Sequence, residues 1–336
     1  MIKSQCALAL FSGGLDSILS CRVIASQGIH VQAVKFITPF FDYALLKEKE
    51  HYQKKIMFQY GINVIIRDIT DKYIEMLNAP PHGFGKNFNP CLDCKILMVS
   101  EAVKMMDEFD ASFIISGEVI GQRPMSQRKD TLRVVERDSC SDGILLRPLC
   151  AKRMPETIPE REGIVDREKL YSFSGRGRSQ QMELAATFGI TDYPNPAGGC
   201  VLTDPILSKR IRKYYQETPV KNSADICFLL VGRQFRLPNG GWLTLGRKEN
   251  ENKQVADLKL PGDILFKMND WPGPTGLLRY SDHPDDIQIA AALVARFGKK
   301  KSAGETEWEI TATSNEDNWT IAARPLEDEI FRPWQL

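Results

Sequence analysis

The chain has 336 residues, 43% hydrophobic and 26% charged, a globular composition whose length suits two domains of roughly 100–200 residues each. A net charge of +1 excludes a global basic field, so any nucleic-acid partner has to be met by Lys and Arg gathered locally. No apolar run approaches the roughly 18–20 residues that a membrane-spanning helix needs.

Residues 6–11 form a short apolar run patterned as a buried strand, too short for a signal peptide and leading straight into a glycine turn. Residues 12–17 (SGGLDS) make that turn, residues 18–28 have helical spacing ended by Gly28, and residues 31–37 read as a second buried strand. A charged helix over 43–60, a strand over 62–69, a helix over 96–109 and a strand over 111–118 follow, the last running into a polar loop. This alternation predicts a doubly wound α/β fold with a parallel sheet. From 151 to 200 the chain is rich in proline and glycine, and residues 208–217 suit a charged helix. Beyond Lys221 short strands are expected at 226–232, 234–237 and 242–247, with a turn at 238–241, and at 307–313 and 318–324 around a turn. The expected division is residues 1–217 and a smaller α+β domain over 218–336, with the boundary near 217–222.

Between a buried strand and a helix, Ser12, Gly13, Gly14, Asp16 and Ser17 suit an anion. Glycines let the backbone approach a phosphate, and amides of the turn and helix N-terminus point at it. Ser12 and Ser17 can donate to phosphate oxygens. A carboxylate at Asp16 repels bare phosphate but suits a Mg²⁺ bridging the phosphates of ATP. The alternative is a tight β–α turn with a serine cap. SGGLDS resembles the PP-loop of the ATP pyrophosphatase superfamily, which implies an adenine nucleotide alpha hydrolase-like fold. It also implies cleavage of ATP between its α and β phosphates to adenylate a carbonyl oxygen. A nucleophile that differs between branches (ammonia, an amine or sulfur) then displaces AMP.

Eight cysteines without a secretory signal suggest reduced thiols, metal ligands or catalysts, and a cytoplasmic protein. Cys91 and Cys94 form a CxxC directly before a helix, whose N-terminus favours thiolates. Cys200 follows Gly198 and Gly199, which suit an exposed, sharply turned position. Three such ligands on an iron–sulfur cluster leave one iron without a protein ligand, where exogenous sulfide can bind. Persulfide chemistry, or three merely structural thiols, are the alternatives. Residues 91–127 resemble the core of ThiI-type tRNA 4-thiouridine synthetases, whose TGE-x-x-GQ-x-x-SQ-like loop is matched by Ser116, Gly117 and Glu118, then Gly121 and Gln122, then Ser126 and Gln127. The resemblance spans about residues 5–210. It implies that Ser116, Gly117 and Gln122 lie near the nucleotide, and that Cys91, Cys94 and Cys200 hold a [4Fe–4S] cluster, as proposed for archaeal relatives. The familiar ThiI enzymes carry a THUMP domain ahead of this core, for which no room precedes Ser12. Residues 225–228 also resemble a cysteine motif of tRNA 2-thiouridylases, although Cys227 falls in the expected strand 226–232. Cys6, Cys21, Cys140 and Cys150 have no partners at ligand spacing and read as structural.

Residues 232–258 and 270–276 resemble the RNA-binding domain of NFACT proteins. Arg233, Arg236, Arg247 and Lys248 stand among Phe235 and Trp242, a mixture in which cations contact phosphates and aromatics stack on unpaired bases. Lys299, Lys300 and Lys301 add a basic run behind a helix, and Arg176 and Arg178 lie in a glycine-rich loop suited to phosphate. An ordinary solvated β-domain is the alternative. Taken together, the resemblances imply an ATP-dependent tRNA sulfurtransferase that replaces a uridine carbonyl oxygen with sulfur, 4-thiouridine slightly favoured over 2-thiouridine. Its partners would be tRNA and a sulfur donor, either sulfide or a cysteine desulfurase. A PP-loop enzyme using another nucleophile or a small-molecule substrate, and a non-catalytic tRNA-binding protein, are the rivals.

Overall fold

The computed structural model describes residues 5–123, 126–195, 200–269, 271–299, 307–315 and 317–336. Gly198, Gly199, Lys300 and Lys301 lie outside the described residues. The chain divides into two compact units, Met1–Asp204 and Pro205–Leu336.

The first unit is built on β1 (Cys6–Leu10), α1 (Leu15–Ala25), β2 (His30–Ile37), α2 (Lys49–Tyr60), β3 (Asn63–Asp68), α3 (Thr70–Asn78), α4 (Cys91–Met105), β4 (Ala111–Ser116), α5 (Lys129–Asp138), β5 (Leu145–Leu146), the short α6 (Ile158–Arg161) and α7 (Ser179–Thr187). Among the described residues its strands form one five-stranded sheet in the order β3-β2-β1-β4-β5, every pairing parallel. Ala7, Leu8 and Ala9 of β1, and Phe113, Ile114 and Ile115 of β4, are buried irrespective of side, as expected for strands covered on both faces by helices. The chain winds outward through β2 and β3, then crosses back to β4 and β5. The switch point therefore falls between β1 and β4, where open α/β sheets take ligands at the carboxyl ends of their strands.

The second unit contains α8 (Pro205–Glu217), α9 (Ser223–Leu229), β6 (Arg233–Arg236), β7 (Trp242–Leu245), α10 (Glu249–Asp257), β8 (Ile264–Met268), β9 (Gly276–Arg279), α11 (Pro284–Phe297), β10 (Trp308–Ser314) and β11 (Asp317–Ala323). Its described strands make a six-stranded antiparallel sheet, β11-β10-β8-β9-β7-β6. The buried face of α11 packs with Phe235, Leu243, Phe266 and Ile310 in one core. In the first turn of α11, the fully buried Asp286 accepts from the backbone of Asn239 (3.1 Å) and Gly241 (2.9 Å), which fixes the expected turn at 238–241.

Two expectations are corrected here. Residues 226–232 are not a strand: Ser223–Leu229 is helical, because Asn222 caps it by accepting from the Asp225 amide (2.8 Å) and the apolar side chains recur at helical spacing. Also, α8 packs with the second unit rather than closing the first. Arg210 donates to the carbonyls of Leu336 (3.0 Å) and Gly232 (3.2 Å), and Tyr214 lies against Trp242. No described helix is long and apolar enough to cross a membrane.

Candidate nucleotide and sulfur site

Residues 12–17 leave β1 and enter α1 at the switch point. Gly13 has φ +86°, a left-handed conformation that a side chain disfavours, and a Cβ there would meet Tyr52 Oη at 2.9 Å. Ser17 Oγ donates to the Gly14 carbonyl (2.7 Å), and Ser12 Oγ donates to Ser17 Oγ (3.2 Å) and accepts from the Gly14 amide (3.3 Å), so both hydroxyls line the turn. Lys35, a buried residue of β2 that sequence reasoning missed, donates to the Ser12 carbonyl (2.7 Å) and pairs with Asp42 (2.6 Å). It places a cation directly behind the turn; an apolar-flanked lysine inside a strand gave no signal of this.

Gly117 follows β4 and lies against α1. A Cβ on it would stand 2.6 Å from the Asp16 carbonyl carbon and from the Ser17 nitrogen, so only glycine lets the two backbones meet. Ser116 is buried, its carbonyl accepting from Ser20 Oγ (3.3 Å). Gln122 Nε2 donates to Asp16 Oδ2 at 2.9 Å. Asp16 Oδ1 is buried and has no hydrogen-bond partner, an orphaned carboxylate oxygen of the kind a hard cation satisfies. The glycine–arginine loop joins the same site: the Gly175 amide donates to the Ile120 carbonyl (2.8 Å), and Arg178 approaches Asp16 Oδ2 at 3.6 Å. Thus Ser12, Gly13, Gly14, Asp16, Ser17, Gly117 and Gln122 come together with Arg178, and Ser116 sits one residue behind them.

The cysteines approach from α4. Cys91 and Cys94 occupy its first turn, where the Cys94 amide donates to the Pro90 carbonyl (2.8 Å). Cys200, distant in sequence, is drawn in by the preceding loop: Asn87 Nδ2 donates to the Thr203 carbonyl (2.6 Å) and the Phe88 amide to that of Leu202 (3.2 Å). The sulfurs share one electrostatic neighbourhood in which the Tyr73 hydroxyl also bonds Cys94. Among the described residues no group of three or more His, Cys, Asp or Glu side chains is set to hold a metal ion. The expectation of thiolates is corrected for Cys94: burial pushes its thiol up to about 12, with Cys91 and Cys200 adding to the rise, and outweighs the Tyr73 hydrogen bond and Lys95. Cys200 is an exposed residue, as expected, and partial desolvation of its thiol raises it as well. Cys6, Cys21 and Cys150 are buried, Cys140 is exposed, and Cys227 lies half-buried on α9.

Two polar clusters missed from sequence brace this region. Asp93, buried inside the CxxC, accepts from the His82 amide (3.1 Å) and faces His82 Nδ1 (2.8 Å), while His82 Nε2 reaches Asp138 (3.1 Å). Lys95, next to Cys94, pairs with Glu118, next to Gly117; Arg147 Nε also donates to Glu118 (3.0 Å) and its Nη1 to Glu136. Burial pushes the Glu118 carboxyl up, but Lys95 and Arg147 together outweigh it and hold it at about 2.

In the second unit the expected base-stacking residues are corrected. Phe235 and Trp242 are fully buried, and Trp242 Nε1 donates to the buried Gln234 (2.7 Å). Arg236 stacks over Trp242 at 4.0 Å and Arg233 over Phe297 at 4.6 Å, while Arg247 is held by Glu251. The aromatics of this motif are core, and the arginines cover them.

Strand, glycine turn and helix N-terminus at the switch point of a parallel sheet define an α/β domain of the PP-loop class. Residues 3–159 match the family described as Thiamine biosynthesis protein (ThiI), and residues 232–335 match that described as NFACT protein RNA binding domain. The chain thus carries a ThiI-like core followed by a domain of the NFACT RNA-binding type. A probable tRNA sulfurtransferase of Thermococcus kodakarensis is 26% identical over 151 residues, covering 45% of this chain and 38% of the relative. One from a Thermoanaerobacter species is 28% identical over 118 residues, covering 34% and 30%. The chain therefore spans well under half the length of these curated relatives. A solved 4-thiouridine synthetase–RNA complex with bound ATP is 19% identical with a TM-score of 0.38, covering 67% of this chain and 52% of that one.

Proposed function

We propose that this protein uses ATP to adenylate a uridine carbonyl of tRNA and replaces that oxygen with sulfur, 4-thiouridine being favoured over 2-thiouridine. One observation carries the reading: Cys94 and Lys95 are consecutive, Lys95 pairs with Glu118, and Gly117 beside it packs on Asp16 and Ser17. A cysteine centre is thereby tied through one ion pair to a phosphate-binding turn. The likeness to proteins named tRNA sulfurtransferases supports the same chemistry.

In this reading the amides of Gly13 and Gly14 and the hydroxyls of Ser12 and Ser17 bind the phosphates, with Lys35 and Arg178 adding positive potential. Asp16, oriented by Gln122, is the side chain that would hold a Mg²⁺, whose charge would offset that of the phosphates, and Ser116 and Gly117 line the nucleotide. The uridine oxygen attacks the α phosphorus and pyrophosphate leaves. Hydrosulfide from a sulfide-supplying donor then attacks the activated ring carbon, the thiocarbonyl forms with loss of a proton, and AMP departs with the former carbonyl oxygen. Cys91, Cys94 and Cys200 are the side chains that would hold an iron–sulfur cluster, whose chemistry would be an iron open to exogenous sulfide. The first unit is the catalytic part, and the second grips RNA. The protein works in the cytoplasm.

The test is anaerobic purification with a visible spectrum and iron and sulfide assays, beside the Cys200→Ala variant. Each preparation is then incubated with tRNA, ATP and sulfide, and the nucleosides are analysed by mass spectrometry. Bound iron and sulfide lost in the variant, together with 4-thiouridine formation, support the proposal. Pyrophosphate release with no sulfur in any nucleoside overturns it in favour of another nucleophile.

A further inference from the structure

The second unit contains a cavity of about 390 Å³ lined by Leu260, Pro261, Asp263, Arg279, Tyr280 and Asp282. Tyr280 at its mouth combines three properties that rarely coincide. Its backbone has φ +66°, left-handed geometry that is an outlier for a bulky side chain. The residue is 61% exposed. Its hydroxyl is nevertheless fixed, donating to the fully buried Asp225 (2.7 and 2.8 Å to the two oxygens). The ring lies nearly parallel to buried Trp242, with an interplanar angle of 21° and centroids 6.5 Å apart. Strain of this kind persists only where surroundings over-determine it, and it concentrates at binding sites. Here it accompanies an exposed tyrosine whose hydroxyl is anchored at the edge of the cavity.

Charge decides what the cavity accepts. Arg279 is the cation of its wall, and it is neutralised internally, donating to both oxygens of Asp263 and to Asp225 (3.2 Å). Asp282 adds an exposed carboxylate. A phosphate would be repelled, whereas a neutral planar ring can stack on Tyr280 and turn an amino group toward Asp282. We propose that the cavity beside Tyr280 is a subsite for a single unpaired nucleobase, favouring bases with an exocyclic amine. This rests on the RNA-binding reading of the second unit and names the part of the RNA that enters it. Bases stacked on aromatic side chains are the usual way that single-stranded RNA is held without a paired groove.

The experiment measures binding of fluorescent oligo(A) and oligo(U) 12-mers to the full chain by anisotropy, for wild type, Tyr280→Gly and Asp282→Asn. Glycine suits the left-handed backbone, so Y280G removes the ring while relieving strain, and its melting curve, recorded alongside, should show one cooperative transition close to that of the wild type. The expected result is an oligo(A) affinity about tenfold weaker in Y280G, the loss of one stacked base. Asp282→Asn should shrink the preference for oligo(A) over oligo(U). RNA bound equally by wild type and Y280G overturns the subsite while leaving RNA binding by the domain intact. No binding of either oligonucleotide, with Tyr280-dependent binding of oligolysine instead, overturns both and assigns the cavity to a basic peptide.

Discussion

Lys95 on the cysteine helix donates to Glu118 on the loop after β4, and Glu118 accepts Arg147 Nε on its other oxygen at 3.0 Å. Because Gly117 rests on the backbone of Asp16 and Ser17, this half-buried carboxylate is the mechanical joint between the two halves of the candidate site. Its folded value near 2 lies below the ordinary 4.5, so the pairing stabilises the fold fully above about pH 4.5. That contribution is lost as pH falls through about 2. Glu118→Gln should remove this part of the acid-unfolding dependence and cost on the order of 3 kcal/mol at neutral pH, read from urea melts between pH 2 and 7.

Asp16→Asn should slow pyrophosphate release from ATP by at least about a hundredfold, because an amide oxygen holds a divalent ion far less well than a carboxylate. Gln122→Ala, which leaves the carboxylate but removes its 2.9 Å orienting bond, should cost about tenfold and shift the Mg²⁺ titration to higher concentration. Pyrophosphate release across a Mg²⁺ series checks both; equal losses in the two variants would contradict the assigned roles.

Gly117→Ala tests the close approach. The added methyl meets two backbone atoms at 2.6 Å, which cannot rotate away, so the loop after β4 has to retreat from the phosphate turn. A displacement of about 1 Å at a reacting centre can cost on the order of a hundredfold in rate, and that loss is expected here beside a lower melting temperature from overpacking of about 1–3 kcal/mol.

Trp242→Ala should act on the fold rather than on RNA contacts. With the ring fully buried against Phe228 and its nitrogen bonded to Gln234, truncation should cost about 3–5 kcal/mol of stability. Denaturant melts of the variant measure that loss. At a temperature where the variant remains folded, RNA affinity should fall less than in Tyr280→Gly, because Trp242 backs the Tyr280 ring without facing solvent itself.

What could be read from the sequence was local. The strand before Ser12, the glycine turn and the helix after it are consecutive, and their apolar runs and punctuation state their own geometry. The run 226–232 failed because a short apolar stretch has the same composition in a strand as in a buried helix, and the deciding cap lay outside it at Asn222. Phe235 and Trp242 misled because a mixture of arginines and aromatics looks alike whether the rings face bases or a core. Lys35, Asp93 with His82, and Arg147 with Glu118 could not be read, since each is functional only by a partner that the fold supplies. The approach of Cys200 to the CxxC entered through resemblance, and its cause, the bonds from Asn87 and Phe88, has no sequence signature.

The bond from Asn87 to Thr203 spans 116 residues. On a ribosome adding about 5–20 residues per second, the CxxC is made on the order of ten seconds before Cys200 exists. The phosphate turn with its flanking strands is complete by residue 37 and can begin to order during that interval. The proposed three-cysteine centre, by contrast, can close only after the chain has passed Thr203. Any metal or sulfur loading of the three thiols as a unit is therefore a late event in the life of the nascent chain, imposed by the order of synthesis.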